Sequence, residues 1–325
     1  MRLFQNTRYN FMAVKNMALT CSLVVICTGL LSLFLKGGPS YNIDFLGGTE
    51  LHVKFQKPVE VQKMRDVLIS MNYPVAEIKQ YGSNTEFLIR FHMAENEEMS
   101  SQQVISQMQK AFTDNTPELL ASDVIGPKVG EELRISAVWA VVFTLILLLI
   151  YIGIRFDFIF GVGAIIALVH DVIITLGFVS LFNIEVSIAV VAAFLTLVGY
   201  SLNDTIVVFD RIRENIKVHK HEALSIVNLV NMSINETLSR TIVTGLTTLI
   251  VIVVGLLFGG EVLRDFFLCL FIGILVGTYS SVFIAAPVVV GWYAKRSHLK
   301  IKTGINQKLD KIPPPRKLLS DVKVS

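Results

Sequence analysis

Six long apolar blocks set the first limit on what this chain can become. They run over roughly 17–35, 135–154, 158–182, 186–209, 238–259 and 266–293. A hydrocarbon core about 30 Å thick takes about 20 apolar residues of helix to cross, so each block is long enough for one span. With 53% hydrophobic and 17% charged residues over 325 positions, the chain is too apolar for an ordinary soluble domain. Only a short stretch around Arg155 and Asp157 separates the second block from the third, which predicts a tight hairpin.

Loop charges predict the orientation. Basic residues precede the first block (Arg2, Arg8, Lys15) and follow the fourth (Arg211, Arg213, Lys217, Lys220) and the sixth (Lys295, Arg296, Lys300, Lys302). The loop 183–185 has none, and 260–265 has only Arg264. Both termini are therefore expected in the cytoplasm, with 36–133 outside. The first block is longer than a signal-peptide core and no A-x-A-like site follows it, so it is expected to be a retained span. Cys21, Cys27 and Cys269 fall within spans and read as small packing residues. The expected division is a cytoplasmic segment 1–16, a first span 17–35, an external domain 36–133, and a five-helix bundle 134–293 with a cytoplasmic connector 211–235. A basic cytoplasmic tail, 294–325, contains IPPPR and is expected to be disordered.

The external segment alternates between two periodicities. ELHVKF (50–55) places Leu51, Val53 and Phe55 on one face of a strand. Pro58 opens a helix with Val61, Met64, Leu68 and Met71 on one stripe. AEIKQY (76–81) and EFLIRF (86–91) form a hairpin around Gly82-Ser83-Asn84. A helix over 98–113 carries Val104, Ile105, Met108 and Phe112, and a last strand covers 119–125. The order βαββαβ is the ferredoxin-like arrangement. The chain is thus expected to be a polytopic α-helical membrane protein with six transmembrane helices and one external α/β domain. The external domain shows no nucleophile–base pair, metal-ligand cluster or phosphate loop, so a binding or docking module is its default reading.

Charged groups at a span centre cost about 2.5–3.5 kcal/mol and persist where something offsets that cost. The polar and charged residues within the spans are His170 and Asp171 in the third, Asn203 and Asp204 in the fourth, and Arg240 in the fifth. The motif Ser233-Ile-Asn-Glu236 fits a capping box and predicts that the fifth helix starts near residue 234. Asp204 and Arg240 then lie at a similar depth from the same side, about 9 Å in. Thr244 follows Arg240 on the same helix face. A carboxylate held between burial and a guanidinium is suited to taking and releasing a proton near neutral pH. Structural readings stand beside this one. Asp204 can bond Ser201 as interhelical glue, Arg240 can snorkel, and His170 and Asp171 can pair with each other alone. Asp210 and Arg213 read as a helix-end ion pair, and Gly273 with Gly277 as a packing face.

Five motifs carry a family resemblance: YNIDFLGGTEL (41–51), IGPKVGEELR (125–134), ALVHDVIITLGF (167–178), GYSLNDTIVVFDRIREN (199–215) and NETLSRTIVTGLTTL (235–249). In this order they resemble the signatures of the SecD/SecF family of the bacterial Sec protein-export machinery. That resemblance implies the resistance–nodulation–division superfamily and one six-span half of a twelve-span assembly. It implies an inner-membrane subunit paired with SecD, working with the SecY–SecE–SecG channel and YajC. Such a subunit uses protons to promote preprotein translocation, with its ferredoxin-like domain in the periplasm. By motif, Asp204 matches the family's proton-relay residue, with Arg240 its partner and Thr244 a relay hydroxyl. Asn203, His170 and Asp171 are candidates for supporting the relay. Asp44, Gly47, Gly48, Gly126, Pro127 and Gly130 belong to the signatures outside the spans. No cofactor, metal, nucleic acid or catalytic residue is implied.

Other readings remain open from the residues alone. A proton-driven small-molecule exporter of the same superfamily usually carries twelve spans or two large external domains per chain. An intramembrane aspartyl protease would use Asp171 and Asp204, but the G-x-G-D context is missing. An assembly subunit without ion coupling is the third.

Overall fold

The computed structural model describes residues 7–71, 73, 77–91, 101–220 and 224–295. The basic tail from 296 onward, Arg2, and positions 76 and 98–100 of the expected elements lie outside the described residues. Among the described residues six helices are long and apolar enough to cross a membrane. Along the chain the elements are α1 (Lys15–Leu35), α2 (Ile43–Leu46), β1 (Gly48–Lys54), α3 (Val61–Ser70), β2 (Glu77–Gln80), β3 (Glu86–Phe91), α4 (Ser101–Ala111) and β4 (Glu118–Ile125). There follow α5 (Pro127–Arg155), α6 (Phe158–Leu181), α7 (Ile188–Val218), α8 (Ile226–Phe258) and α9 (Gly260–Ser280). A π-helical segment, Ser281–Ala285, continues α9 toward Lys295.

The sheet has the order β2-β3-β1-β4 with every neighbour antiparallel. This is the ferredoxin-like order expected from βαββαβ. Leu51, Val53, Phe87, Ile89 and Phe91 point to one face, where Met64, Leu68, Val104 and Met108 of α3 and α4 bury them. The opposite face carries Glu50, Arg90 and Lys79 and looks toward one end of the helices. There the α6–α7 loop binds it: Glu185 accepts from Arg90 and from Lys79 (3.2 Å), and Arg90 also donates to Glu50. The backbones meet at the same loop, with Asn42 N donating to Val186 O (3.0 Å) and Val186 N to Ser40 O (2.7 Å). Glu185→Ala leaves the largely buried Arg90 and the half-exposed Lys79 short of that acceptor. It is expected to cost roughly 1–3 kcal/mol, between the values for exposed and buried pairs. The check is thermal unfolding with amide exchange over 40–48; protection unchanged there would contradict it.

Helices α5, α7 and α8 extend past their apolar blocks, and the start of α8 overturns the expected cap. Ser233 does not cap a helix. Ser225 does, its Oγ accepting from Asn228 N (3.2 Å), so α8 starts about two turns earlier. Ser233 is buried within α8, where it donates to Leu229 O (2.7 Å) and accepts from Asn215 Nδ2 (2.9 Å). Glu236 faces α7 rather than its own N-terminus, accepting from Arg211 Nε (2.6 Å) and Asn215 Nδ2 (2.7 Å). A tertiary contact has taken over residues that fit a local cap.

Helix α1 buries only Ser22, Gly29 and Ser32. Each meets α6 at the same offset of 148 residues: Ser22 Oγ with His170 Nε2 (3.0 Å), Gly29 with Gly177, and Ser32 Oγ with Ser180 Oγ (2.8 Å). The two helices therefore run parallel and in register. Between α7 and α9, Gly273 lies against Leu197 and Gly277 against Ser201. The Gly273–Gly277 stripe is a packing face, as small residues at this spacing suggest.

Candidate functional site

Asp204 and Asp171 are the buried carboxylates among the described residues, 2% and 0% exposed. Asp204 projects from α7 toward α9, where Thr278 Oγ1 donates to its Oδ2 at 3.3 Å. Helix α8 closes the other side with a glycine. A Cβ on Gly245 would stand 3.5 Å from Thr278 Oγ1 and 3.8 Å from the Tyr200 hydroxyl. The Asp204 carboxylate thus has one long hydrogen bond from a neutral hydroxyl.

Arg240 is close enough to act on Asp204 through its charge, yet no ion pair joins them among the described residues. Its residue is exposed on α8. The levels agree: Asp204 lies fourteen residues before Val218, and Arg240 fourteen residues after Ile226. Both are about 21 Å from those helix ends, so they stand level on the two helices. Thr244 donates to Arg240 O (2.8 Å), its own helix backbone, and makes no hydrogen bond to Asp204 among the described residues. Asn203 is exposed, on a different face of α7 from Asp204.

Ser201, a turn before Asp204, serves the other carboxylate. Its Oγ donates to Asp171 Oδ2, where Ser280 Oγ of α9 also donates (2.7 Å). Asp171 Oδ1 lies 2.8 Å from His170 Nδ1. The chain continues through His170 Nε2 to Ser22 Oγ (3.0 Å), on to the Tyr279 hydroxyl (3.0 Å) and to Ala18 O (2.7 Å). His170 and Asp171 do pair with each other, but within a network spanning α1, α6, α7 and α9. Thr278, Tyr279, Ser280 and Ser22 were not singled out by sequence. The run Thr278–Ser281, a hydroxyl at each of four successive positions within an apolar span, is the signal that marks most of them. The π-helical segment starts at its end, and π turns inside helices frequently occur at functional sites.

The remaining signature residues build contacts between elements. Asp44 Oδ2 accepts from Ile188 N (3.0 Å) at the start of α7. Gly47, with φ of 75°, lies against Pro127, and Gly130 lies against Phe45 and Gly47. The first two motifs of the chain are thereby locked together. At the far end Arg211 and Asn215 of α7 hold Glu236 of α8, joining the fourth motif to the fifth. Asp210 of α7 takes Arg155 Nη2 (2.6 Å) from the end of α5, and Arg213 stands 4.0 Å from Asp210 and 3.6 Å from Asp157.

Residues 104–295 match the family model described as "Protein export membrane protein SecD/SecF, C-terminal". The protein translocase subunit SecF of Gemmatimonas aurantiaca is 41% identical over 298 residues, covering 89% of each chain. The protein translocase subunit SecDF of Thermus thermophilus is 43% identical over 296 residues, 89% of this chain but 39% of that one. The crystal structure of a Thermus SecDF, a translocon-associated membrane protein, superposes with a TM-score of 0.80 at 42% identity, over 90% of this chain and 40% of the other.

Proposed function

The chain belongs to the SecD/SecF family of protein export membrane proteins, and we propose that it is the six-span accessory subunit that couples proton entry to preprotein translocation by the Sec translocase. Its site is Asp204, with Arg240 as mobile counterion and Thr244 as a hydroxyl that reaches the site once the helices shift. The observation that carries this reading is a carboxylate deep in the apolar bundle, held by one neutral hydroxyl at 3.3 Å, with a cation near but not bonded. A carboxylate locked in a salt bridge keeps its charge; one left with a loose hydroxyl exchanges its proton more readily. Each proton moved down the membrane potential supplies about 2.3 kcal/mol per 100 mV, enough to bias two conformations.

Asn203 and Arg240, exposed in the isolated chain, face the missing half of the assembly. The SecDF relative is more than twice as long as its match to this chain, which supports a SecD-type partner covering that face. The channel SecY–SecE–SecG, YajC and the preprotein complete the assembly on the strength of the family resemblance. The distribution of Lys and Arg supports an inner-membrane topology with the sheet in the periplasm and both termini in the cytoplasm.

The test is Asp204→Asn in cells that depend on the chain. Export that responds to the proton gradient is expected to fall at least tenfold, with the variant membrane-inserted and bound to its partner at wild-type levels. Normal gradient-dependent export by a stable, partnered variant would sink the reading.

A further inference from the structure

Asp171 has no task in the Asp204 reading, yet its surroundings fix its protonation. The polarity of the hydrogen bonds can be followed from the far end. Ala18 O only accepts, so the Tyr279 hydroxyl donates its single proton there. Ser22 must then donate to the Tyr279 oxygen, and its own oxygen accepts from His170 Nε2. Nε2 therefore carries a hydrogen. Ser201 donates to Asp171 Oδ2, and the one Ser280 hydroxyl proton, with Gly277 O at 3.1 Å as its other acceptor, goes to the nearer Oδ2 at 2.7 Å. One proton remains to be placed, between His170 Nδ1 and Asp171 Oδ1 at 2.8 Å, because without it two lone pairs would face each other. On nitrogen or on oxygen, that proton makes the pair neutral as a unit. Losing it removes the bond and leaves a net charge in a site with His170 6% and Asp171 0% exposed.

The titratable groups facing the pair are few. Among the described residues α9 presents Tyr279, whose ring stacks on His170, and α7 presents Ser201, with Asp204 one turn further along the same helix and turned to Thr278. Helix α1 presents Ser22, its Cys21 and Cys27 being exposed, and the π segment holds no titratable side chain. Oδ2 of Asp171 joins α7 to α9 through Ser201 and Ser280. The same two helices carry Asp204, three residues after Ser201, and Thr278, two before Ser280.

We infer that His170 and Asp171 are positioning residues of the Asp204 site: a neutral clamp that holds α7 and α9 in the register at which Thr278 meets Asp204, and that does not carry the transported proton. The inference rests on the proton-carrier reading of Asp204. An asparagine at 171 can donate an amide hydrogen to His170 Nδ1 and accept both serine hydroxyls on its oxygen, so the clamp survives an amide and fails with an alanine.

The experiment is proton uptake against pH by the full chain co-reconstituted with its SecD-type partner in liposomes, with folded complex quantified by size exclusion. Asp171→Ala and Ser201→Ala are expected to move the midpoint of the pH profile by about one unit, as loss of a site's alignment does. Asp171→Asn is expected to return the midpoint to the wild-type value, at a rate within about threefold because one buried N–H gains no partner. Abolition of uptake by Asp171→Asn, matching Asp204→Asn, would make Asp171 a carrier and overturn the clamp. A wild-type midpoint in Asp171→Ala or Ser201→Ala overturns it too, and Ser201→Ala decides alone where Asp171→Ala does not assemble. An unchanged profile in Asp204→Asn overturns the carrier reading instead, whatever the clamp variants do.

Discussion

Gly177→Val is expected to leave no folded chain to extract. Gly29 and Gly177 bring the backbones of α1 and α6 into contact: a Cβ on Gly177 would stand 2.8 Å from Gly29 Cα and 3.4 Å from its carbonyl carbon. Those are main-chain atoms, which cannot rotate aside. The helices would have to part, and the seam has little else to hold it. Its other members are Ser32 with Ser180, Ser22 with His170, and Lys36, which donates to Ser180 O and to Asn183 Oδ1. In lipid, close packing and interhelical hydrogen bonds are what join helices, so separation forfeits both at once. The loss should exceed about 4 kcal/mol, the range reserved for gross core disruption. Gly29→Val should behave alike, whereas Gly199→Ala, with nothing within 4 Å of its added carbon, should extract normally. The measurement is the monodisperse fraction after detergent extraction and its thermal midpoint. A Gly177→Val protein with the parent's midpoint would contradict the seam.

The six spans were legible because hydrophobic length is a one-dimensional property, and the sheet was legible because Leu51, Val53 and Phe55 or Phe87, Ile89 and Phe91 alternate in plain view. What the sequence hid are relations between distant residues. Ser22, Gly29 and Ser32 look like scattered small residues until α6 lies beside them at a constant offset. Ser233 and Glu236 fit a cap at their local spacing, yet Asn215 and Arg211 claim them from another helix. Helices α7 and α8 outrun their apolar blocks because ion pairs and amides, not lipid, stabilise their charged ends.

The Asp204 site shows the same division. Its carboxylate was conspicuous in an apolar run, and so were Asp171 and His170. The hydroxyls that decide what each carboxylate does were not. Ser201, close to Asp204 in sequence, reads as its natural partner, but the helix turns it toward Asp171, and Thr278 from α9 takes its place. The neighbour in the chain is therefore the wrong guide to the neighbour in space. Membrane interiors make that distinction matter, because each polar group there must find a partner within protein.

Gly130→Val is the second substitution expected to abolish folding, and it separates two glycines of one motif. A Cβ on Gly130 would lie 2.9 Å from Gly47 N and 3.2 Å from both the carbonyl carbon and oxygen of Phe45. Gly47 is closed in from the other side, its own added carbon falling 2.7 Å from Pro127 Cα, and its φ of 75° with ψ of 154° already disfavours a side chain by about 1–3 kcal/mol. The turn that ends α2 and the first turn of α5 are thus fitted backbone to backbone. That fit sets where β1 leaves the bundle, because Gly48 follows directly and Asp44 of the same short helix caps α7. Valine at 130 would displace the start of β1 and the start of α7 together, at a cost above about 4 kcal/mol. Gly126, in the same motif, has nothing within 4 Å of an added carbon and a φ of −64°. Gly126→Ala should therefore change stability by less than about 1 kcal/mol. Thermal unfolding of the two variants beside the parent decides it. Equal losses at 126 and 130 would mean the motif acts through chain flexibility, and a tolerated valine at 130 would mean the two turns are not in contact.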